Sequence, residues 1–513
     1  MKTPCDDAVI QSKVGVPCGA EARRWILAAT ILGSSLAFID GTVVNVALPA
    51  LQSSLHANIV DVQWVVESYG LFLGALILVG GSFGDVFGRR LMFVLGVTIF
   101  AIASAACGLA TGIQQLIVAR SIQGVGAAFL VPGSLAIISA SFDERTRGQA
   151  IGTWSGFTAI TTAIGPVLGG WLIEHASWRW VFFINLPLAA AVVAISLWRI
   201  PESRSEIARG IDWLGALVGT VGLGGLVFGF VESTNLGWRN PLVFGSLISG
   251  IAGVVGFVFV ESKVSSPMVP LALFRSRTFS GANLLTLFLY AAIGIFFFLF
   301  PLNLIQVQGY SAALTGAAVL PLILLMFALS RWSGGLVARY GRRAPLIIGP
   351  LIAAAGFALF AVPSTAGNYW KAFFPAIVVL GLGMAVTVAP LTTVVMSSVD
   401  QDHAGTASGI NNAVARIASV LAIAVFGIVM VRAFDFRLGH ELASLGLSSD
   451  VVREIQSRAN KLAGLELPPN LDARTAAAVR TAINHAFVFG FRLIMLICAG
   501  LAAASSAVAG LFR

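Results

Sequence analysis

Apolar runs of membrane-crossing length recur along this chain from about residue 25 to its end. No other feature narrows the fold as far. A helix needs about 20 apolar residues to cross roughly 30 Å of hydrocarbon. Fourteen such runs are read, at 25–50, 62–82, 90–110, 114–139, 148–172, 178–198, 212–231, 240–260, 280–303, 313–338, 344–362, 370–397, 404–432 and 485–511. Helices are the expected solution: an unpaired backbone group in lipid costs several kcal/mol, and no alternating pattern suggests a barrel. Only 11% of residues are charged, too few to coat a soluble surface. A soluble enzyme, a disulfide scaffold and a disordered chain are thereby excluded. Two of the four cysteines, Cys5 and Cys18, lie in the polar tail and two, Cys107 and Cys498, in apolar runs, so no structural disulfide is expected.

Basic residues punctuate the runs and set an orientation. With the N-terminus inside, eighteen Lys and Arg fall in the tail 1–24, in the inner loops and at Arg513, against three in short outer loops, Arg179, Arg239 and Lys371. The net charge of +9 therefore reads as topology and not as a nucleic-acid surface. The loop near Asp400 and Asp402 has no basic residue and is the weak point of the rule. The outer segment 433–484 is long and mixed in charge, with an amphipathic helix expected near 449–463. The 24 mixed residues before the first run do not resemble a cleavable signal.

A repeat supplies the architecture. Gly81-Ser-Phe-Gly-Asp85-Val-Phe-Gly88-Arg89-Arg90 follows the second run, and Gly334-Gly-Leu-Val-Ala338-Arg-Tyr-Gly341-Arg342-Arg343 follows the tenth. Eight runs separate the copies, where a simple 6+6 duplication would need six. The expectation is an all-α polytopic protein of 6+2+6 helices: a six-helix bundle over 25–198, an inserted pair over 212–260 and a second bundle over 280–511, its halves related by an axis along the membrane normal.

Four further segments accompany the Gly81–Arg90 loop: Asp40-Gly-Thr-Val-Val-Asn45-Val-Ala-Leu-Pro49, Arg120-Ser-Ile-Gln123-Gly124-Val-Gly126, Gly165-Pro166-Val-Leu-Gly169-Gly170 and Trp178-Arg-Trp-Val-Phe-Phe-Ile-Asn185-Leu-Pro187. In this order and on these runs, they make the chain resemble the major facilitator superfamily, and within it the fourteen-helix drug:proton antiporters of the EmrB/QacA type. The resemblance implies a secondary transporter in a bacterial plasma (inner) membrane, with both termini cytoplasmic. It would export small lipophilic compounds by alternating access. No cofactor is expected, the proton gradient being the energy source. The partners would be the bilayer and the substrate, with a periplasmic adaptor on the outer side and no nucleic acid. A monomer is expected.

The residues themselves suggest roles. Asp40 sits inside an apolar helix, where a carboxylate is expensive and its protonated form is favoured, so it is the first candidate for carrying the coupling proton. Arg120, at comparable depth on the fourth run, is its natural partner, and Asp40, Glu67, Asn45 and Gln123 are read as substrate-contacting polar groups; the plainer reading is a carboxylate satisfied by Thr42, Asn45 or a neighbouring helix, with no part in turnover. Glu67 is either a second proton site, a counter-charge for a cationic substrate, or an acid wetted by the outer vestibule. Gly165-Pro166 with Gly169-Gly170 removes a helix bond and lets another helix approach; the resemblance marks it as an antiporter signature. Gly81, Asp85, Gly88, Arg89 and Arg90 read as a conformational latch in which Asp85 pairs with the arginines or caps the next helix; Ala338 replaces the acid in the second copy. Phe38, Trp154 and Phe157 are candidates for a greasy chamber wall, alongside Phe72, Phe288 and Phe296–Phe298. Arg331, Arg416 and Arg492 lie within runs without an evident acidic partner and leave an anionic substrate open.

No lysine follows a glycine, so no phosphate-binding Gly-Lys-Ser/Thr loop exists. The histidines lack metal-ligand spacing and no Gly-x-Ser-x-Gly elbow occurs. ATP-driven pumping by this chain is thus excluded. The reading is a proton-coupled exporter of lipophilic, preferentially cationic compounds. A dedicated exporter of an endogenous metabolite, lipid or siderophore, and a uniporter or symporter, stand as alternatives.

Overall fold

The computed structural model describes residues 20–142, 144–204, 212–265, 267–363, 368–399, 404–468 and 471–510. Residues 1–19, Arg209, Asp400, Asp402 and Arg513 lie outside these, as do the side chains of Arg145, Arg147 and Arg331. Helices occupy all fourteen expected places: α1 (Ala20–Ser54), α2 (Ile59–Phe87), α3 (Arg89–Leu109), α4 (Ile113–Ser141), α5 (Glu144–His175), α6 (Asn185–Arg199), α7 (Trp213–Leu236), α8 (Pro241–Lys263), α9 (Arg277–Leu302), α10 (Ala312–Ala318) continuing as α11 (Leu320–Gly334), α12 (Arg343–Leu359), α13 (Phe374–Ser397), α14 (Ala404–Ala443) and α16 (Ala473–Gly510). Twelve helical segments among the described residues are long and apolar enough to cross a membrane; α12 is apolar but shorter. Much of the expected 433–484 loop is helical, because α14 and α16 extend into it. The amphipathic helix there, α15 (Ser449–Ser457), is shorter than expected and gives way to a tight turn at Ala459–Gly464.

Local sequence sets the breaks. Asn58 and Asp61 form a reciprocal capping box that starts α2. Gly88 and Gly341, the matching glycines of the two repeat copies, end α2 and the short helix Leu336–Tyr340 at φ of 122° and 77°. A side chain rarely adopts that backbone, so both glycines are required by the same sharp turn.

The same packing scheme appears twice. In the first half α1 packs on α5 and α6, α2 on α4, and α3 on α4 and α6. In the second half α9 packs on α14 and α16, α11 on α13, and α12 on α13 and α16. The duplicated loop is thus the visible trace of a duplicated bundle. Close approach depends on small residues: a Cβ on Gly96 or Gly126 would overlap the facing backbone of α4 or α3, and one on Gly356 or Gly383 that of α13 or α12.

The inserted pair sits beside the seam. Gly222 and Gly225 of α7 meet Gly253 and Gly250 of α8 backbone to backbone. α7 also packs on α2 and α14, one helix from each half. Trp64 of α2 donates to Glu232 of α7 at 2.7 Å, and Phe83 stacks edge-on against Trp213 near the opposite end. α8 exposes Phe244, Ile248, Ile251, Val255 and Phe259, a surface suited to lipid.

The halves meet near the Ser54 end. Gln306 donates to Gln52 at 2.7 Å, and Gln52 to the Lys461 carbonyl. Gln63 donates to the Ile423 carbonyl at 3.2 Å. Glu174 accepts the Ala313 N–H at 2.8 Å. Gly170 and Gly316 let α5 and α10 touch along their backbones. Toward the Arg89 end α14 still meets α2 where Gly409 faces Leu78, while other positions on the same helix faces are uncovered. Gly41 shares a face with Gln52, Gly152 with Gly170 and Asn412 with Ile423, each about a whole number of turns away, and all three are exposed. The molecule is closed at the Ser54 end and opens as a chamber toward the other.

Candidate functional site

α1 carries Asp40 on the side away from the chamber, into its own bundle, where the carboxylate is fully buried. Arg120 of α4, 1% exposed, reaches it with Nη1 at 2.5 Å from Oδ2. The same nitrogen donates to Gln123 Oε1 at 2.8 Å, and Nε donates to the Val65 carbonyl at 3.1 Å. Gln123 Nε2 donates to the other carboxylate oxygen at 2.9 Å. The guanidinium lies 4.2 Å from the centroid of the Tyr69 ring. The pair expected between the first and fourth runs is therefore present, and neither Thr42 nor Asn45 bonds to Asp40: each turns back on its own helix.

Two members were not singled out from sequence. Asn185 Nδ2 lies 3.4 Å from Asp40 Oδ1 and donates to Ser104 Oγ at 3.0 Å. Ser104 in turn donates to the Phe182 carbonyl. A polar residue inside an apolar run was the available signal for both, and Asn185 also lay in the Trp178–Pro187 segment without a role assigned to it. Their partners lie on other helices, which spacing does not reveal. An ion pair so enclosed is tolerable only because most of its hydrogen-bonding positions are filled; stripping one partner strands the other charge.

The other expected residues are dispersed. Asn45 is half-buried and lies on the chamber face of α1 with Gly41, as does Phe38 one turn below. Trp154 is buried within the first half, its Nε1 donating to Ser34 at 3.0 Å. Phe157 is half-exposed on a stripe with Ile160, Ile164 and Trp171, turned off the bundle. Glu67 is fully buried, and neither carboxylate oxygen has a hydrogen-bond partner. It lies on the face of α2 defined by Gln63, Gly70 and Gly74, which meets α14 at Ile423, Val420 and Ile417.

Gly165-Pro166 and Gly169-Gly170 serve two contacts at once. A Cβ on Gly165 or Gly169 would overlap Thr42 or Val43 of α1, just past Asp40. Gly170 and the Pro166 carbonyl face α10 across the seam. In the Gly81–Arg90 loop, Asp85 pairs with Arg89, accepting from Nη2 at 2.8 Å and Nε at 3.0 Å. The cap on α3 comes instead from Glu202, beyond α6, which accepts the Arg90 and Leu91 N–H groups at 3.0 Å. A Cβ on Gly88 would collide with that carboxylate, whereas Gly341 faces open space. The second copy therefore lacks the acid at Ala338 and has no side chain capping α12.

Of the three arginines within runs, Arg492 donates to the Val362 and Pro363 carbonyls after α12. Arg416 is half-buried between Tyr69 and Tyr290. The Arg331 side chain lies outside the described residues. No cluster of three His, Cys, Asp or Glu suited to a metal occurs among the described residues.

Residues 30–215 and 210–423 match the Major Facilitator Superfamily. The chain is 32% identical over 502 residues to the tetracenomycin C resistance and export protein of Streptomyces glaucescens, covering 96% of this chain and 92% of that protein. It is 36% identical over 410 residues to the multidrug resistance protein Stp of Mycobacterium tuberculosis, covering 79% and 75%. Among solved structures, a bacterial homologue of the human lysosomal transporter Spinster, in an inward-facing unoccupied conformation, superposes with a TM-score of 0.66 at 18% identity, covering 96% of this chain and 99% of that one.

Proposed function

Since the chain belongs to the Major Facilitator Superfamily and is a multi-pass membrane protein, we propose that it is a proton-coupled antiporter exporting lipophilic antimicrobial compounds. The fourteen helical places fit the EmrB/QacA branch. The membrane is the bacterial inner membrane, with the Arg89 end and both termini in the cytoplasm and the Ser54 end outside. The relatives named for resistance and export support the cargo class. The observation that carries the coupling is the buried Asp40–Arg120 pair, built into one half of a two-halved transporter.

Substrate enters the chamber between the halves, where Phe38 and Asn45 lie on the accessible face of α1. A proton reaching Asp40 cancels its charge, releases Arg120 and Gln123 from it, and loosens a network that ties α1 to α4 and α6. Val43 and Thr42, packed under Gly169 and Gly165, pass the change to α5, whose Gly170 is a seam contact. Glu67 is the second proton site. Burying an ionised carboxylate without a donor costs several kcal/mol, so the seam closes on Glu67 with its proton in place. The inward proton gradient supplies the energy, about 2.3 kcal/mol per charge per 100 mV, and no cofactor takes part. The chain works as a monomer in lipid. A periplasmic adaptor would dock at the Ser54 end, where α15 and the turn after it are presented.

The test is proton flux in proteoliposomes challenged with cationic, neutral and anionic compounds, comparing wild type, Asp40→Asn and Glu67→Gln. Both variants are expected to lose substrate-driven proton movement. Flux that survives in Asp40→Asn removes the coupling role of Asp40. A chain that ignores every dye but moves a component of cell extracts would instead be a dedicated exporter.

A further inference from the structure

The apex of the chamber carries an unpaired positive charge. Ile423, Arg416 and Asn412 are spaced by whole turns and share one face of α14. Above, Ile423 and Val420 are closed against α2; below, Asn412 is exposed. Arg416 lies between them, half-buried, and α14 still meets α2 below it, where a Cβ on Gly409 would lie 3.2 Å from Leu78 Cδ2. Gly74 of α2 makes room for its stem: a Cβ there would lie 3.6 Å from Arg416 Cβ. The phenols of Tyr69 and Tyr290 are the ionisable groups close enough to feel its charge.

No carboxylate within ion-pair distance and no hydrogen-bond acceptor holds this guanidinium among the described residues. The nearby acids are committed elsewhere. Asp40 is bound by Arg120, Gln123 and Asn185, and Glu67 is sealed higher in the seam. An arginine at this depth is expensive unless it is paired or meets an ion pathway. Among the described residues nothing supplies a counter-charge, which leaves that place to an occupant of the chamber.

We propose that Arg416 anchors the anionic group of a lipophilic substrate: a carboxylate, sulfonate or ionised enol on an aromatic or polycyclic body. The planar guanidinium pairs with such oxygens through two N–H donors at once. Tyr290 and the chamber face bearing Phe38 offer flat apolar surface to the body of the molecule. This names the substrate class of the exporter proposed above and rests on that reading. In this conformation Glu67 is fully buried and out of reach of a cation, and the half-buried Arg416 favours an anion.

The test reads binding alone, so a failure of proton coupling leaves it decidable. Purified full-length protein in lipid nanodiscs is titrated with 8-anilinonaphthalene-1-sulfonate and with N-phenyl-1-naphthylamine, which share a body and differ by the sulfonate. Wild type is expected to bind the sulfonate more tightly. Arg416→Gln should weaken the sulfonate about tenfold, the worth of one charged hydrogen-bonded contact, and leave the neutral dye within about twofold. Arg416→Lys should keep the preference, since the charge remains. Equal affinity of wild type for the two dyes overturns the proposal without any variant. So does an Arg416→Gln protein that binds the sulfonate normally or weakens both dyes alike.

Discussion

Asp40 and Arg120 show how a charge is kept inside an apolar bundle. The carboxylate takes Arg120 on one oxygen and Gln123 on the other, with Asn185 nearby, while the guanidinium also holds the Val65 carbonyl. Such a pair adds little over an apolar packing, but breaking it leaves one ion uncompensated, at about 3–5 kcal/mol. Asp40→Ala is therefore expected to lower stability by that order, and Asp40→Ala with Arg120→Leu to recover most of it while staying inactive. Thermal unfolding of the purified proteins checks this; a double variant as unstable as the single one would show that the pair itself, and not the stranded charge, holds the bundle. Arg416 is the opposite case, a half-buried charge with no carboxylate within ion-pair distance among the described residues.

Helices in this protein communicate through glycines. Gly165 and Gly169 press α5 onto α1 beside Asp40, and Gly170 of the same helix meets α10 of the other half. One face of α5 thus reports on the charged cluster while the next face closes the seam. Gly170→Leu or Gly316→Leu should hold the Ser54 end apart. Spin labels at Thr111 and Val362, on exposed turns of the two halves, are expected to read a longer distance and export to fall, with the Asp40 cluster intact. An unchanged distance would mean that the α5–α10 approach is not what closes that end. The loop between α2 and α3 follows the same logic: Gly88 accommodates Glu202, whose carboxylate caps α3 and fastens the segment after α6 to it.

At the scale of the whole molecule, closure at the Ser54 end is partly an electrostatic clamp. Glu174 at the end of α5 receives the Ser311 hydroxyl and the Ala313 N–H, at the start of α10, and these hydrogen bonds hold its carboxyl below the usual carboxylate range. A depressed carboxyl stabilises the closed arrangement above its ordinary value, and the contribution disappears as pH falls through the lowered one. The same label pair should show the closed population decreasing in acid, and Glu174→Gln should flatten that dependence; a slope unchanged in Glu174→Gln would assign it elsewhere. Glu174 is exposed and screened, so the effect is modest. α7 joins α2 and α14 across this seam, so in the alternating-access scheme proposed above the inserted pair would slide on one of them.

Sequence by itself determined what depends on solvent and on chain-local geometry. Lipid demands long apolar helices, so the places of all fourteen were legible from hydropathy, and the duplicated loop with Gly88 and Gly341 exposed the two-fold plan because a sharp left-handed turn admits little but glycine. Charged residues inside such helices were conspicuous for the same reason, which is why Asp40, Arg120 and Glu67 stood out. Tertiary structure decided which of them meet. Asp40 found Arg120 and Gln123, but Asn185 and Ser104 joined only because α6 and α3 pack there. Asp85 pairs with Arg89, the first of its two expected roles, while Glu202, far along the chain, supplies the cap that was the other. Glu67 ended sealed without a donor and Arg416 open without an acid, a distinction set by where two helices from different halves touch and where they part. Contacts between segments hundreds of residues apart leave no period in a single chain, and only the packed bundle resolves them.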